Sequence, residues 1–407
     1  MSAKPPKPRF LEFFAGVGMA RLGLGGRWSC AWANDLDPTK AQIYRHNYGA
    51  AHFDPRDVHD VAAAVCAGNV GGDPSAGAPA FPIDAQLAWA SFPCQDLSLA
   101  GDRGGLSARR SGAYWPFWRI MRDLPSLSGG ARPRIIVLEN VVGLLSDRAG
   151  FERLCTSLGE LGMRYGAMKL DARDFVPQSR PRVFIVAVSD TVDLQGLIGD
   201  RPIGVGGNQN AVVKAHAALS EAARRRWLWW QLPAASRPVP QFAAFFDPEA
   251  DDVAWNSQTK TDYLLSLMTQ RHRERVEAAM ASGKQNFGFL YRRTRSGQQR
   301  AEVRFDGLAG CLRTARGGSS RQTLVVVEGP RVRTRLLSAL ESARLMGVQL
   351  DDGGRLPGAA ESFFPPGLRG TQIVNAMGDG VAVPVVAHLE QHLLWPLLQR
   401  SSLPVAA

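Results

Sequence analysis

Cys94 sits between Pro93 and Gln95, just past a short apolar run, Leu87-Ala88-Trp89-Ala90, that reads as a buried strand. Proline ends such a strand, so the thiol falls at its carboxyl end, the ligand-binding rim of an open α/β sheet. A thiol there has two readings: a nucleophile acting as thiolate, or a small apolar side chain filling the core. The stretch that follows, with Gly101, Gly104, Gly105 and Gly112, is polar and pliable enough to close over a ligand. A second apolar strand, Arg134 to Leu138, runs into Glu139-Asn140-Val141 and brings a carboxylate to the same rim. Further on, Arg180 and Arg182, within Gln178-Ser179-Arg180-Pro181-Arg182, precede another strand, Val183 to Val188.

The elements that must position these groups begin near the N-terminus. Phe10 to Phe14 reads as a strand, broken by Ala15-Gly16-Val17-Gly18, with a helix from Met19 and a second strand through Cys30-Ala31-Trp32-Ala33. That strand ends at Asn34-Asp35-Leu36-Asp37-Pro38. Glycines let a ligand approach the backbone, and an acid after the next strand can accept both ribose hydroxyls. The same pattern also describes a plain βαβ unit. The third glycine of a dinucleotide fingerprint falls on Arg21, so a nucleoside without a pyrophosphate fits better than NAD. Arg56-Asp57-Val58 supplies a third acid, residues 67–82 read as a surface loop, and the aromatics of Tyr114 to Leu124 read as core rather than cofactor box. Strands alternating with helices from residue 10 to about 190 predict a doubly wound parallel sheet.

Across its 407 residues the chain is 45% hydrophobic and 21% charged, which is globular. Lys and Arg number 48 against 37 Asp and Glu, a net charge of +11, and a polyanionic partner suits that balance. Five dispersed cysteines without a CxxC pair argue against a disulfide framework or a zinc site and for a reducing compartment. No run approaches the roughly 18 apolar residues of a membrane span, so a soluble, cytoplasmic protein is expected. Arg224-Arg225-Arg226-Trp227-Leu228-Trp229-Trp230 interleaves charge with rings, and residues 283–335 hold 12 basic and 3 acidic residues. Such density suits phosphate contacts or a solvated face. Gly378-Asp379-Gly380-Val381 then opens an apolar helix to about Leu398 that should return to the first domain.

The ordered set Phe14-Ala15-Gly16-Val17-Gly18, Asp35, Asp57, Pro93-Cys94-Gln95, Glu139-Asn140-Val141, Gln178-Ser179-Arg180-Pro181-Arg182 and Gly378-Asp379-Gly380-Val381 resembles the cytosine-5 DNA methyltransferase family. The resemblance covers residues 10–188 and 309–390 and is to the bacterial or phage restriction-modification type. It implies an α/β fold with a doubly wound, mostly parallel, Rossmann-like sheet of the S-adenosylmethionine-dependent kind, and a smaller target-recognition domain. By resemblance Cys94 adds to carbon 6 of a flipped-out cytosine, Glu139 meets the pyrimidine N3 edge, and Arg182, helped by Arg180, binds the base O2. S-adenosylmethionine would lie on Phe14, Gly16, Gly18, Asp35, Leu36, Asp57, Val58, Pro93, Asp379 and Val381. Two positions depart from the pattern: Asp379 stands where many members have Asn, and Leu36 where many have Trp.

The expected domains are 1–190 for cofactor and catalysis, 191–369 for target recognition and hinge, and 370–407 returning to the catalytic domain. Double-stranded DNA is the partner implied, met by Gln95, Ser98, Arg292, Arg293, Arg313, Arg316 and Arg321, with Ser98 to Gly112 as a lid. The resemblance also implies no membrane, a cognate restriction endonuclease as companion, and a monomer on DNA. Three alternatives stay open. The tRNA-methylating branch of the family shares the catalytic motifs, although a recognition region beyond 100 residues with this charge favours duplex DNA. A non-catalytic DNA-binding protein would not need Cys94, Glu139 and Arg182 together, and a nicotinamide oxidoreductase would not need Pro93-Cys94-Gln95.

Overall fold

Apolar runs stopped by turn and acidic residues become strands, and acids that stop them also cap the helices. Asp37 accepts from Thr39 N and Lys40 N to start one helix, Asp57 accepts from His59 N to start the next, and Asp147 accepts from Gly150 N for a third. The computed structural model describes residues 6–93, 111–127, 129–202, 208–295, 297–314 and 321–401. The chain divides into a large unit, Met1–Asp171, Pro181–Ser236 and Val381–Ala407, and a smaller one, Ala172–Arg180 and Arg237–Gly380.

The large unit is built on a seven-stranded sheet of β1 (Arg9–Phe13), β2 (Ser29–Asn34), β3 (Phe53–Asp54), β4 (Leu87–Ala90), β5 (Ile135–Val141), β6 (Met163–Asp171) and β7 (Pro181–Ser189), in the order β3-β2-β1-β4-β5-β7-β6. Helices α1 (Met19–Leu24), α2 (Pro38–Tyr48), α3 (Val58–Cys66), α4 (Tyr114–Asp123) and α5 (Arg148–Glu160) connect the strands. The strand order reverses at β1 and β4, and a ligand crevice belongs at the carboxyl ends beside that point. β1 to β5 pair in parallel, whereas β7 runs antiparallel to both β5 and β6. The reversal has a functional effect. Arg182, expected to precede the strand, lies inside it, and because β7 runs backwards its start meets the end of β5, with Val141 opposite Arg182. Tyr114 and Phe117 of α4 are buried in the core with Leu11, Phe13, Ile136 and Leu138.

The boundary expected at 190 falls instead after Ser236. A short ribbon of β8 (Ile198–Gly199) and β9 (Trp229–Trp230), with α6 (Asn210–Ala217) and α7 (Glu221–Arg225), is fastened to β6. Tyr165 Oη donates to Ala223 O, Leu228 N donates to Tyr165 O, and Trp230 Nε1 donates to Gly166 O. The Trp-rich run 224–230 is therefore packing for the large unit, with Trp227 and Trp230 buried.

In the smaller unit, α8 (Gln258–Ser266) and α9 (Gln270–Ala281) pack on an antiparallel sheet of β10 (Gln285–Arg295), β11 (Gln298–Arg304), β12 (Thr323–Glu328) and β13 (Arg331–Leu336), in the order β11-β10-β12-β13. Helices α10 (Ala339–Leu345) and α11 (Gly370–Asp379) follow, so the boundary expected at 369 falls after Gly380. Arg335 is buried in a two-pronged pair with Glu341, at 2.7 and 2.8 Å, and stacks on Phe246 and Trp255.

α12 (Val383–Leu389) and α13 (Trp395–Ser401), joined by one π-helical turn at Glu390–Leu394, complete the large unit. Gly23 of α1 lets α12 come close, since a Cβ there would lie 2.4 Å from Val386 Cβ. The helical run Gly370–Arg400 is long and apolar enough to cross a membrane by length and composition alone. Its apolar side chains are core: Ile373 and Met377 of α11 and Val386, Leu389 and Leu393 beyond it are buried.

Candidate active site

The rim is assembled by backbone geometry first. After β1 the chain turns through three left-handed residues, Phe14, Gly16 and Gly18, of which Phe14 alone carries a side chain. Ala15 N donates to Asn34 O and Gly16 N donates to Asp35 Oδ2 at 2.8 Å, which docks the turn onto the end of β2. A Cβ on Gly16 would meet nothing within 4 Å, whereas one on Gly18 would strike the Tyr48 ring at 2.4 Å. The second Asp35 oxygen accepts from Asp37 N, and burial raises the Asp35 pKa. Leu36, next in sequence, is 63% exposed. Asn34 Nδ2 donates to Asp54 O and Arg56 O, fixing the turn that delivers Asp57 to the start of α3, where Val58 is buried. His59 N and Nδ1 both meet Asp57 Oδ1 at 2.9 Å. Val381 is buried and Pro93 half-buried.

A carboxyl group that the sequence reading passed over lies beneath this turn. Glu12, in β1, is fully buried, accepts from Arg21 N, and is pushed up to about 8, chiefly by desolvation. Arg21 also donates to Tyr44 Oη and lies 2.6 Å from His52 Nε2, whose own pKa burial lowers to about 4. The signal was an acid inside the apolar run Phe10-Leu11-Glu12-Phe13.

On the other side of the switch point, β4 ends at Ala90, and Phe92 O accepts from Asn140 Nδ2 at 3.1 Å. This bond ties the segment leading to Cys94 to the end of β5. Within Glu139-Asn140-Val141, Asn140 thus serves as the tether. Cys94, Gln95, Ser98 and the expected lid up to Arg110 lie outside the described residues. Glu139, 6% exposed, sits diagonally across the β5–β7 pair from Arg182, with Arg182 Nε 3.2 Å from Glu139 Oε1. A carboxyl and a guanidinium are thus held side by side at the rim.

Arg180 departs from expectation. Expected beside Arg182 on a base, it belongs to the smaller unit, is 2% exposed, and directs its terminal nitrogens elsewhere. Nη1 donates to Leu312 O at 2.8 Å and Nη2 to Gly378 O and Gly380 O at 2.8 and 2.6 Å. These acceptors are backbone carbonyls, so both terminal nitrogens are occupied within the smaller unit.

Of the arginines expected on DNA, Arg292, Arg293 and Arg313 are exposed. Arg293 lies 3.6 Å from Glu302. Arg321 is half-buried and donates to Leu337 O, and Arg316 lies outside the described residues. Asp379 is exposed at the end of α11, in the smaller unit.

The family model described as C-5 cytosine-specific DNA methylase matches residues 8–395. Among curated relatives, the Type II methyltransferase M.BsuFI of Bacillus subtilis is 30% identical over 185 residues, 44% of this chain and 39% of that protein. The Type II methyltransferase M.HhaI of Haemophilus parahaemolyticus is 25% identical over 199 residues, 48% of this chain and 53% of that one. The aligned region thus spans about half the length of these relatives. Among solved structures, the Entamoeba histolytica methyltransferase EhMeth superposes with a TM-score of 0.58 at 13% identity, covering 97% of this chain and 99% of that one, which establishes a shared fold.

Proposed function

Because the chain belongs to the C-5 cytosine-specific DNA methylase family, we propose that it methylates carbon 5 of a cytosine within a specific duplex DNA sequence, with S-adenosylmethionine as donor and Cys94 as nucleophile. The observation that carries this reading is the buried Glu139–Arg182 pair at the end of β5, beside the segment to Cys94 that Asn140 fastens.

S-adenosylmethionine, when bound, supplies an electrophilic methyl group. The rim fits it: Gly16 leaves open space where a Cβ would project, and Asp35 and Leu36 present a carboxylate and an apolar face at the switch point. In this reading Asp35 takes the ribose hydroxyls, Asp57 the adenine amino group, and Phe14 and Leu36 the adenine faces. The Gly16 and Gly18 backbone lies beside the methionine moiety, while Val58, Pro93 and Val381 close the pocket.

Carbon 5 of cytosine is a poor nucleophile until something adds at carbon 6. The target base is first rotated out of the stack. The Cys94 thiolate then forms a bond to carbon 6 while the carboxyl of Glu139 stabilises charge at N3, and Arg182 donates to O2. Carbon 5, now enamine-like, takes the methyl group. Loss of its proton and elimination of the thiolate restore the aromatic ring and the enzyme. Arg292, Arg293 and Arg313 of the smaller unit meet phosphate, and that unit selects the sequence.

The reading extends to a cytoplasmic enzyme acting as a monomer alongside a cognate restriction endonuclease. Bisulfite sequencing of DNA from cells expressing the protein tests its core. Protected cytosines at one recurrent sequence are expected, and full conversion everywhere would overturn it.

A further inference from the structure

Resting on that reading, we propose that Arg180 is a positioning residue, whose guanidinium clamps the Cys311–Arg313 segment to the Gly378–Gly380 turn inside the smaller unit. Both segments carry groups expected to meet ligands, Arg313 on DNA and, by the family resemblance, Asp379 on the cofactor. A planar fork can serve several carbonyls at once, which an ammonium cannot do with the same geometry. Here Nη1 serves Leu312 O and lies 3.3 Å from Cys311 Sγ, while Nη2 bridges Gly378 O and Gly380 O. Gly378 O lies in the last turn of α11, where carbonyls lack intrahelical donors, so the cation answers an orphan acceptor.

The neighbouring contacts make this a joint. Ala309 N donates to Pro177 O and Ser179 N to Ala309 O, lacing 177–179 along 309. Gln178 accepts from Leu312 N at 3.0 Å and donates to Leu345 O at 2.7 Å. Gln322 brackets Gly310, accepting from its N and donating to its O at 2.9 and 2.6 Å. The two clamped segments touch so closely that a Cβ on Gly378 would lie 2.9 Å from the Arg313 carbonyl carbon. Without the guanidinium, two buried carbonyls and the half-buried one of Gly380 lose a charged donor, and the segments are free to part.

The test compares wild type, Arg180→Lys and Gly378→Ala. S-adenosylhomocysteine affinity is measured by calorimetry, affinity for a fluorescein-labelled random-sequence duplex by anisotropy, and methyl transfer to genomic DNA in a single turnover at saturation. In both variants both dissociation constants should rise about tenfold, in Arg180→Lys as expected for losing a hydrogen bond to a charged group and in Gly378→Ala because the added Cβ parts the two segments, with transfer from the saturated complex within a few-fold of wild type. Arg180→Lys with unchanged affinities and abolished transfer would mean a base contact and overturn the proposal, as would a variant indistinguishable from wild type. If Arg180→Lys does not fold, Gly378→Ala carries the test, because it forces the same segments apart with the guanidinium in place. Unchanged affinities there would equally overturn the clamp. A wild type that binds both probes but transfers no methyl group defeats the functional reading and leaves the clamp measurable by binding; one that binds neither defeats both.

Discussion

At the rim of the seven-stranded sheet a few polar groups are each placed by a neighbour, whereas in the four-stranded sheet many arginines with similar sequence surroundings come to opposite ends. Asn34, Asp35 and Asn140 are tied to named backbone groups, and Glu139 to Arg182. Along the basic stretch, Arg335 is buried against Glu341, Arg304 is paired with Asp306, and Arg292 and Arg293 are exposed. Charge density therefore overstates the surface available to a polyanion. A residue's partner, rather than its charge, decides whether it serves chemistry, folding or affinity.

That contrast can be broken by substitution. Glu139→Gln should cost the most, about 10²- to 10⁴-fold in single-turnover methyl transfer, the range for removing a positioned acid or base. DNA and cofactor affinities should change little, and a rate near wild type would remove Glu139 from the chemistry. Arg335→Ala should act on folding: it leaves Glu341 buried without its cation, a change costing about 3–5 kcal/mol. Denaturant unfolding followed by circular dichroism and intrinsic tryptophan fluorescence should report the loss, and unaltered stability would show the pair to be dispensable.

A smaller effect is expected at Glu12. Its folded pKa, about 8, lies above the ordinary 4.5, so the folded chain keeps a proton that the unfolded chain releases. The contribution to stability is full below about 4.5 and is lost as pH rises through 8. Glu12→Gln should flatten the decline of stability over that window, and an unchanged pH slope would show that another group sets it. The smallest effect belongs to the exposed sheet. Arg293→Ala should weaken DNA binding alike for all sequences and reduce the salt slope by about 1. A loss confined to one sequence would instead make Arg293 a reader of bases.

How far the molecule was legible follows the same division. Strands with their own apolar signal and a polar stop, β1, β2 and β4, were readable to within a residue, whereas β5 runs three residues past the expected end at Leu138 and takes in Glu139. The reversal of β7 was not, because the apolar run Val183 to Val188 looks the same in either direction. The boundary at Ser236 was missed because Arg224 to Trp230 reads as a basic aromatic face, while the Trp227 and Trp230 rings in fact pack on β6. Arg180 and Arg182 are two residues apart in one motif, and only their partners separate them: three carbonyls for one, a carboxylate for the other.

The central claim, that the Cys94 sulfur adds to the base, is tested most directly by trapping. Duplex DNA with 5-fluorocytosine at the methylated position, given with S-adenosylmethionine, should hold the enzyme covalently, because fluorine cannot leave carbon 5 as a cation and the thiolate is not eliminated. A complex stable to denaturing electrophoresis is predicted for wild type, with both the complex and methyl transfer absent from Cys94→Ala. A wild type that methylates DNA without ever forming the complex, or a Cys94→Ala variant that still methylates, would contradict the account.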